Sequence, residues 1–282
     1  MLYKLLALFP LPVLYLGANA VYFIVFRVLG FRKALVLDNL RNSFPEKSEA
    51  ELNAIARQCY RNYSEVLAEL IKGGRIREAE LRRRVIIEHI ELAQNYYEAG
   101  RSIVLLASHH CNWEWLLLAS CLKLPFQVDA VYRELKKDSI DSHMLAVRSR
   151  FGGNPISTRD FVLEVMRRKN ASTAFALVAD QTPGVDDEKC WLRFLNQDTA
   201  FFVGPQRIAH ITQAPVFFVG MERLRRGYYR ASLQLLAEPP YAGDDLQVMQ
   251  SYAIAAEEQI RKSPADWLWL YRKWKYKKPL YN

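Results

Sequence analysis

Short apolar runs recur along the chain and alternate with segments of helical periodicity. Four continuous runs have the length and composition of buried strands, at residues 103–107, 126–132, 173–179 and 215–220. Helical stretches lie near residues 112–122, 138–151, 161–169 and 205–211. Residues 228–236 alternate like a strand near a sheet edge, and residues 246–261 form a late helix. This alternation predicts an α/β fold, a mixed β-sheet flanked by helices.

A long helix precedes these strands. Ser48 and Glu51 have the spacing of a capping box, and apolar residues continue at helical spacing to Ile71. Lys72-Gly73-Gly74 ends this helix. The following residues 75–84 contain five arginines and are predicted to form a solvated or substrate-facing surface.

Residues 5–29 form an almost uncharged apolar segment. Its length is close to the roughly 20 residues that cross a bilayer. Basic residues follow it while only Lys4 precedes it, which predicts that the rest of the chain is cytoplasmic. Because Pro10 and Pro12 interrupt its first turns, the segment could also be a kinked or half-inserted helix. A buried core helix is the other alternative. We therefore expect a membrane anchor at residues 1–30 and one catalytic domain at residues 31–282.

Composition narrows the classes of partner. Of 282 residues, 51% are apolar and 24% charged, which excludes a disordered chain and a polytopic membrane protein. The net charge of +9 suggests an anionic partner such as nucleic acid, a phospholipid surface, a phosphorylated substrate or an acidic protein, or else a mildly basic enzyme without one. No nucleic-acid-binding motif is present, so we expect no nucleic-acid partner. The four cysteines have no CxxC spacing and are expected to be free thiols.

The candidate chemistry lies where the strand at residues 103–107 ends in Ser108-His109-His110-Cys111-Asn112-Trp113-Glu114. Asn112 is a good helix N-cap, which places Glu114 in the first helical turn. The bend between strand and helix would let the Glu114 carboxylate turn back and accept a proton from the His109 ring. A histidine oriented in this way is a candidate general base.

Several alternatives remain at this motif. His110 is also a candidate base, and spacing alone does not separate it from His109. One or both histidines could be hydrogen-bonded turn residues. A metal site is disfavoured because no HExxH spacing occurs, and a serine nucleophile because no G-x-S-x-G occurs. We expect no bound metal.

The His-x4-acid pattern after a strand resembles the glycerolipid-type acyltransferases, and the fuller string resembles their branch of late lipid A acyltransferases, the lauroyl/myristoyl transferases of Gram-negative bacteria. That branch often has glycine where this chain has Cys111. Further blocks similar to that family occur in the same order along the chain, at residues 39–40, 44–46, 131–133, 148–152, 179–184 and 267–275.

The resemblance implies direct acyl transfer, without an acyl-enzyme or a bound cofactor. His109 with Glu114 would deprotonate a hydroxyl of a lipid A precursor, which attacks the thioester of acyl-acyl carrier protein. Arg148 would be the main cation near the reaction centre. Further substrate-binding candidates are Asn112, Arg133, Arg150, Asp180 and Gln181.

The same resemblance implies partners and a location. The partners would be acyl carrier protein, a lipid A precursor or related anionic glycolipid, and lipids of the bacterial inner membrane, with the catalytic domain on the cytoplasmic face. The tryptophans and lysines of residues 267–278 suit a membrane interface or a carrier-protein surface, or else a tryptophan core with a basic tail. Another lipid acceptor, with acyl-CoA as possible donor, and a non-catalytic membrane-surface protein are the competing functions.

Overall fold

The structure is a computed structural model that describes residues 2–134, 138–168, 170–241 and 246–278. Lys169, which ends one predicted helix, and the last four residues of the expected catalytic domain lie outside these ranges.

A seven-stranded mixed sheet forms the centre of the described chain. Its spatial order is β1-β9-β8-β2-β5-β3-β4. The strands from β8 to β4 run parallel, while β9 is antiparallel to β8 and pairs in parallel with β1 at the edge. The strands of this sheet are β1 (Val85–Glu88), β2 (Ile103–Ala107), β3 (Gln127–Tyr132), β4 (Asn154–Ser157), β5 (Thr173–Val178), β8 (Val216–Arg225) and β9 (Tyr228–Ala237).

Helices cover both faces of the sheet. They are α1 (Leu2–Leu6), α2 (Leu11–Tyr22), α3 (Lys33–Ser43), α4 (Glu49–Gly73), α5 (Glu78–Arg84), α6 (Glu91–Glu98), α7 (Trp113–Lys123), α8 (Asp138–Arg148), α9 (Phe161–Arg168), α10 (Gly204–Thr212) and α11 (Gln247–Lys262). Successive β2 side chains alternate between two cores, because neighbouring strand residues point to opposite faces. One core includes α3, α10 and α11, and the other includes α2, α5 and α7.

The predicted α/β class and mixed sheet are confirmed. The four continuous apolar runs are the central parallel strands, and residues 228–236 lie one strand from the edge. The prediction missed the four-residue strands β1 and β4, which are too short to show a period. It also missed the antiparallel hairpin of β6 (Lys189–Phe194) and β7 (Gln197–Phe202), which forms a separate two-stranded sheet.

The long helix α4 begins as predicted. The Ser48 hydroxyl accepts from the Glu51 amide, and the Glu51 carboxylate accepts from the Ser48 amide, so the capping box is complete. The arginine-rich segment after α4 contains α5, in which Glu78 pairs with Arg82 and Glu80 with Arg84, four residues apart. These side chains form ion pairs along the helix surface.

The N-terminal apolar segment packs along α4 with one face. Leu14, Tyr15 and Ala18 are buried, whereas Leu16 is 69% exposed. Residues Phe23–Val28 continue α2 as a π-helix. The stretch Leu11–Val28 has the length and composition of a membrane-crossing helix, and one third of it is buried. Because most of it is exposed, this segment is not the buried core helix that the sequence left open.

The C-terminal tryptophan block belongs to the core. Trp267 and Trp269 are buried with ring centroids 4.6 Å apart, and Trp274 packs against the same cluster. These indoles therefore belong to a tryptophan core and do not form a membrane-facing belt, whereas Arg272, Lys275, Lys277 and Lys278 around them are exposed. Lys273 is also buried, where its ammonium group donates to the Ala200 carbonyl and lies 3.9 Å from the Phe201 ring centroid.

The buried Lys273 makes the stability pH-dependent. Burial lowers its pKa from 10.5 to about 7, opposed by the Asp180 and Cys190 charges. Between these two values the unfolded chain binds more protons, so the free energy of unfolding should rise with pH, by up to about 1.4 kcal/mol per pH unit. Lys273→Met should remove this rise and be at least as stable at pH 7. Denaturant titrations in detergent from pH 7 to 10 measure the difference.

Lys277→Met is the matched control, because Lys277 is exposed. It should keep the wild-type dependence on pH. Parallel curves for the wild type and Lys273→Met would contradict this assignment.

Candidate active site

His109 meets a carboxylate that comes from the neighbouring strand. β2 and β5 pair in parallel with Ala107 opposite Val178, so both strands end at the same edge of the sheet. His109 and Asp180 follow these ends. His109 Nδ1 lies 2.6 Å from Asp180 Oδ1, and the His109 backbone amide donates to Asp180 Oδ2 at 2.9 Å. The carboxylate therefore fixes both the backbone and the ring of His109.

Asp180 is charged in spite of its burial. Its side chain is 3% exposed and also accepts from Trp267 Nε1 at 2.7 Å. Burial opposes ionisation, but the charge and hydrogen bonds of His109, with the Trp267 hydrogen bond, lower the pKa of Asp180 from 3.8 to about 2. A carboxylate accepts only, so the neutral His109 ring carries its proton on Nδ1 and leaves a lone pair on Nε2.

The Nε2 side of the ring faces the outside of the sheet edge. Gln181 Nε2 lies 3.1 Å from His109 Nε2 and donates to it. The Trp113 ring meets the imidazole edge to face, with centroids 4.8 Å apart. The exposed Gln181 thus occupies the direction in which the ring would accept a proton.

The predicted hydrogen bond between Glu114 and His109 is not the one that forms. Both Glu114 carboxylate oxygens bind the Arg148 guanidinium, at 3.0 Å to Nε and 2.5 Å to Nη2. Arg148 lies 5.9 Å from the Tyr132 ring centroid at the end of β3. Five residues of turn and helix direct Glu114 toward α8, while the parallel pairing of β2 and β5 gives His109 a different acid. Glu114 and Arg148 therefore form a bidentate ion pair.

His110 has a structural environment. Its ring is buried, with Nδ1 3.1 Å from the Met221 carbonyl oxygen and Nε2 3.1 Å from that of Ser263. Burial lowers the pKa of His110, although these carbonyls and Asp266 oppose the shift. Both ring nitrogens face protein carbonyls, so the geometry favours His109 as the base and makes His110 a hydrogen-bonded turn residue.

Cys111 has the backbone conformation that glycine usually supplies. Its φ is +54°, in the left-handed region that side chains with a Cβ enter at a cost. Its Sγ lies against the His110 ring and the Met221 carbonyl. Burial raises the pKa of this thiol, so it is neutral. The sharp turn between His109 and α7 therefore forms in spite of the substitution.

Asn112 supports the turn from inside. Its side-chain oxygen accepts from the Trp115 amide as the N-cap of α7, and its amide donates to Glu69 at 2.7 Å. Asn112 is fully buried, and both its side-chain oxygen and its side-chain amide are hydrogen-bonded within the protein. Tyr15 and Tyr229 donate to the same Glu69 carboxylate, at 2.8 and 2.7 Å. Glu69, on α4, thus joins α2, β9 and the turn between His109 and α7.

The two other arginine candidates, Arg150 and Arg133, have different surroundings. Arg150 donates to the carbonyls of Gly73 and Ile76, so it closes the end of α4. Arg133 pairs with Asp187 at 3.4 Å and is 68% exposed. Within the described ranges no cluster of three metal-ligating side chains occurs.

Sequence reasoning missed Glu69, Trp267 and Tyr132, and it assigned Asp180 to substrate instead of to His109. Glu69 lies on a helix 40 residues before His109, and no local spacing connects them. One signal was available for Asp180. It follows a predicted parallel strand, as His109 does, and such ends meet at one sheet edge.

Fold and site together define a class, the α/β proteins in which a histidine of a His-x4-acid motif follows the carboxyl end of a parallel strand and is paired with a buried carboxylate. A family model described as bacterial lipid A biosynthesis acyltransferase matches residues 1–276. The chain belongs to this family and is an O-acyltransferase. A search of curated proteins gives no significant match.

Asp180→Asn should lower kcat for acyl transfer by about 10²–10⁴-fold, because an amide does not hold the Nδ1–H tautomer as a carboxylate does. The measurement is the rate of acyl transfer by purified protein across pH. Asp186→Asn is the matched control, because Asp186 is exposed in the following loop. An unchanged kcat and pH profile in a folded Asp180→Asn protein would contradict the role of Asp180.

Glu69→Gln should keep most of the activity. Its amide oxygen can still accept from Asn112 and Tyr229, which share Oε2, and the Tyr15 hydroxyl can turn to accept from the new amide. Glu69→Leu removes these acceptors and should lower kcat about 10²-fold through misalignment of the turn, with little change in KM. Steady-state kinetics measure both constants.

Asn112→Ala is an independent variant that removes the hydrogen bond between Asn112 and Glu69 by changing its other partner. It should lower kcat in the same direction as Glu69→Leu. Equal activity of Glu69→Leu and Glu69→Gln would show that the turn does not depend on Glu69.

Proposed function

We propose that the protein transfers a fatty acyl chain from acyl-acyl carrier protein to a hydroxyl group of a lipid A precursor. The observation that supports this most is the His109 ring, whose Nδ1 binds the charged Asp180 while Nε2 faces the exposed Gln181. This is the arrangement of a general base with one lone pair available. Membership of the lipid A acyltransferase family gives the reaction class and the type of acceptor.

In the proposed reaction the acceptor hydroxyl displaces the Gln181 amide from His109 Nε2. His109 removes the hydroxyl proton as the oxygen bonds to the thioester carbonyl carbon. The carbon–sulfur bond then breaks, and the imidazolium returns the proton to the departing thiolate. Asp180 stabilises the imidazolium in between. The products are an ester and a free carrier thiol, so no acyl-enzyme and no cofactor are needed.

Glu114 and Arg148 take a second role in this proposal. Their bidentate pair leaves the Arg148 side chain 18% exposed. Arg148 would orient a phosphate or the developing oxyanion, and Glu114 would hold its planar group in place. Gln181 would guide the hydroxyl. Arg133 is exposed enough to meet an anionic substrate at the rim.

We also propose that the enzyme works at the cytoplasmic face of the bacterial inner membrane. The N-terminal apolar helix, the basic net charge and the family support this location. The acidic carrier protein would approach the basic surface. The acceptor lipid follows from the family alone, so a phospholipid, an aminolipid or another glycolipid is the second candidate.

The decisive experiment is mass spectrometry of total lipids from a deletion strain that is complemented with wild-type or His109→Ala alleles. The deletion should remove one acyl chain from lipid A, and only the wild-type allele should restore it, since loss of a base costs about 10²–10⁴-fold. Unchanged lipid A with an acyl chain missing from another lipid would transfer the proposal to that lipid. Complementation by His109→Ala would exclude His109 as the base.

A further inference from the structure

We infer that the N-terminal helix does not cross the bilayer but lies flat in one leaflet of an anionic membrane, with α4 covering its other side. In this arrangement the chain binds the membrane through one face of the helix. This inference rests on the proposed membrane location and is independent of the reaction.

The exposed apolar surface is concentrated on this segment. Among the described residues, 12 of the 24 exposed large hydrophobic side chains lie between residues 3 and 31. Val13, Leu16, Phe23 and Val28 are among them, with exposures of 45%, 69%, 59% and 64%. A surface of this kind on one continuous element requires an apolar partner.

The opposite side of the same helix is bound to the rest of the protein along its length. Near its start, the Lys72 ammonium group donates to the carbonyls of Ala7 and Phe9. Further along the segment, Tyr15 donates to the buried Glu69. At the far end, the Tyr60 hydroxyl donates to the Phe31 carbonyl. The segment therefore runs antiparallel to α4 and is held at both ends and in the middle.

Charged groups accompany the helix and argue against a crossing. Arg226 lies 5.0 Å from the Tyr15 ring centroid and donates to Asn19, with its side chain 42% exposed. Arg61 lies 5.3 Å from the Tyr22 ring centroid. If the helix crossed the bilayer in this packing, these guanidinium groups would enter the hydrocarbon. The free-energy cost would be about 2.5–3.5 kcal/mol for each arginine on insertion scales, which give the lowest values.

Lying flat resolves this conflict. The exposed apolar face then enters the leaflet by roughly 5–10 Å, and the side covered by α4 stays at the headgroups. The charges of the segment favour an anionic lipid surface. Residues 1–37 contain Lys4, Arg27, Arg32 and Lys33 and no acidic residue. Each cation near an anionic surface contributes about 1 kcal/mol to binding.

The test measures depth by fluorescence quenching in vesicles of phosphatidylglycerol and phosphatidylethanolamine. An environment-sensitive fluorophore is attached to Val13→Cys, Val21→Cys or Val28→Cys in a full-length Cys121→Ser background, because the other three native cysteines are buried. The matched control is Val185→Cys, which replaces a 76% exposed valine outside the segment. Lipids that carry quenchers at different depths locate each label.

The three labels should lie at one shallow depth, and the Val185→Cys label should remain in water. A crossing helix would place the labels at residues 13 and 28 about 22 Å apart in depth, because a helix rises 1.5 Å per residue. That result, or three labels as exposed to water as the control, would overturn the inference. Equal binding to phosphatidylcholine vesicles would overturn its anionic part.

This readout requires no acyl transfer. Labels at one shallow depth in a protein that does not acylate lipid A would refute the proposed function alone. A normal reaction with a depth gradient along the helix would refute only the flat arrangement.

Discussion

The buried Asp180 carboxylate is the interaction on which the rest of the site depends. It accepts hydrogen bonds from the His109 ring, from the His109 backbone and from Trp267, so it joins β2, β5 and the C-terminal segment at one point. A buried carboxylate is costly unless it is paired and hydrogen-bonded, and these three donors, of which the imidazole is one, provide that compensation. The same contacts fix the tautomer of His109. The compensation of the buried carboxylate and the orientation of the His109 ring therefore depend on the same three hydrogen bonds.

A second buried carboxylate fixes the turn that carries His109. Glu69 accepts from Asn112, Tyr15 and Tyr229, and Asn112 caps α7. Glu114 lies in the first turn of α7, so the direction of α7 orients the carboxylate that binds Arg148. Through Glu69, the orientation of the site therefore also depends on a contact with the N-terminal helix α2. Asp180 holds one end of the turn and Glu69 the other. The four residues between His109 and Glu114 therefore have little conformational freedom.

How far the sequence predicts this arrangement depends on the range of each interaction. The strand that ends two residues before His109, the N-cap at Asn112 and the capping box at Ser48 follow from neighbours within a few residues, and all three form. The partner of His109 does not follow from neighbours along the chain. Asp180 is 71 residues away and comes close only when β2 pairs with β5. Spacing in the His-x4-acid motif suggested Glu114, since the sequence shows neighbours along the chain and not neighbours across a sheet.

Cys111 illustrates how such a network tolerates a locally unfavourable residue. Its φ of +54° is a conformation that glycine adopts freely and cysteine adopts at a cost of order 1 kcal/mol. The turn cannot relax, because His109 is held by Asp180 on one side and Asn112 by Glu69 on the other. The buried thiol instead packs against His110 and the Met221 carbonyl, and these contacts offset part of the strain. The backbone conformation is therefore imposed by tertiary contacts, and a glycine at residue 111 is sufficient for it but not required.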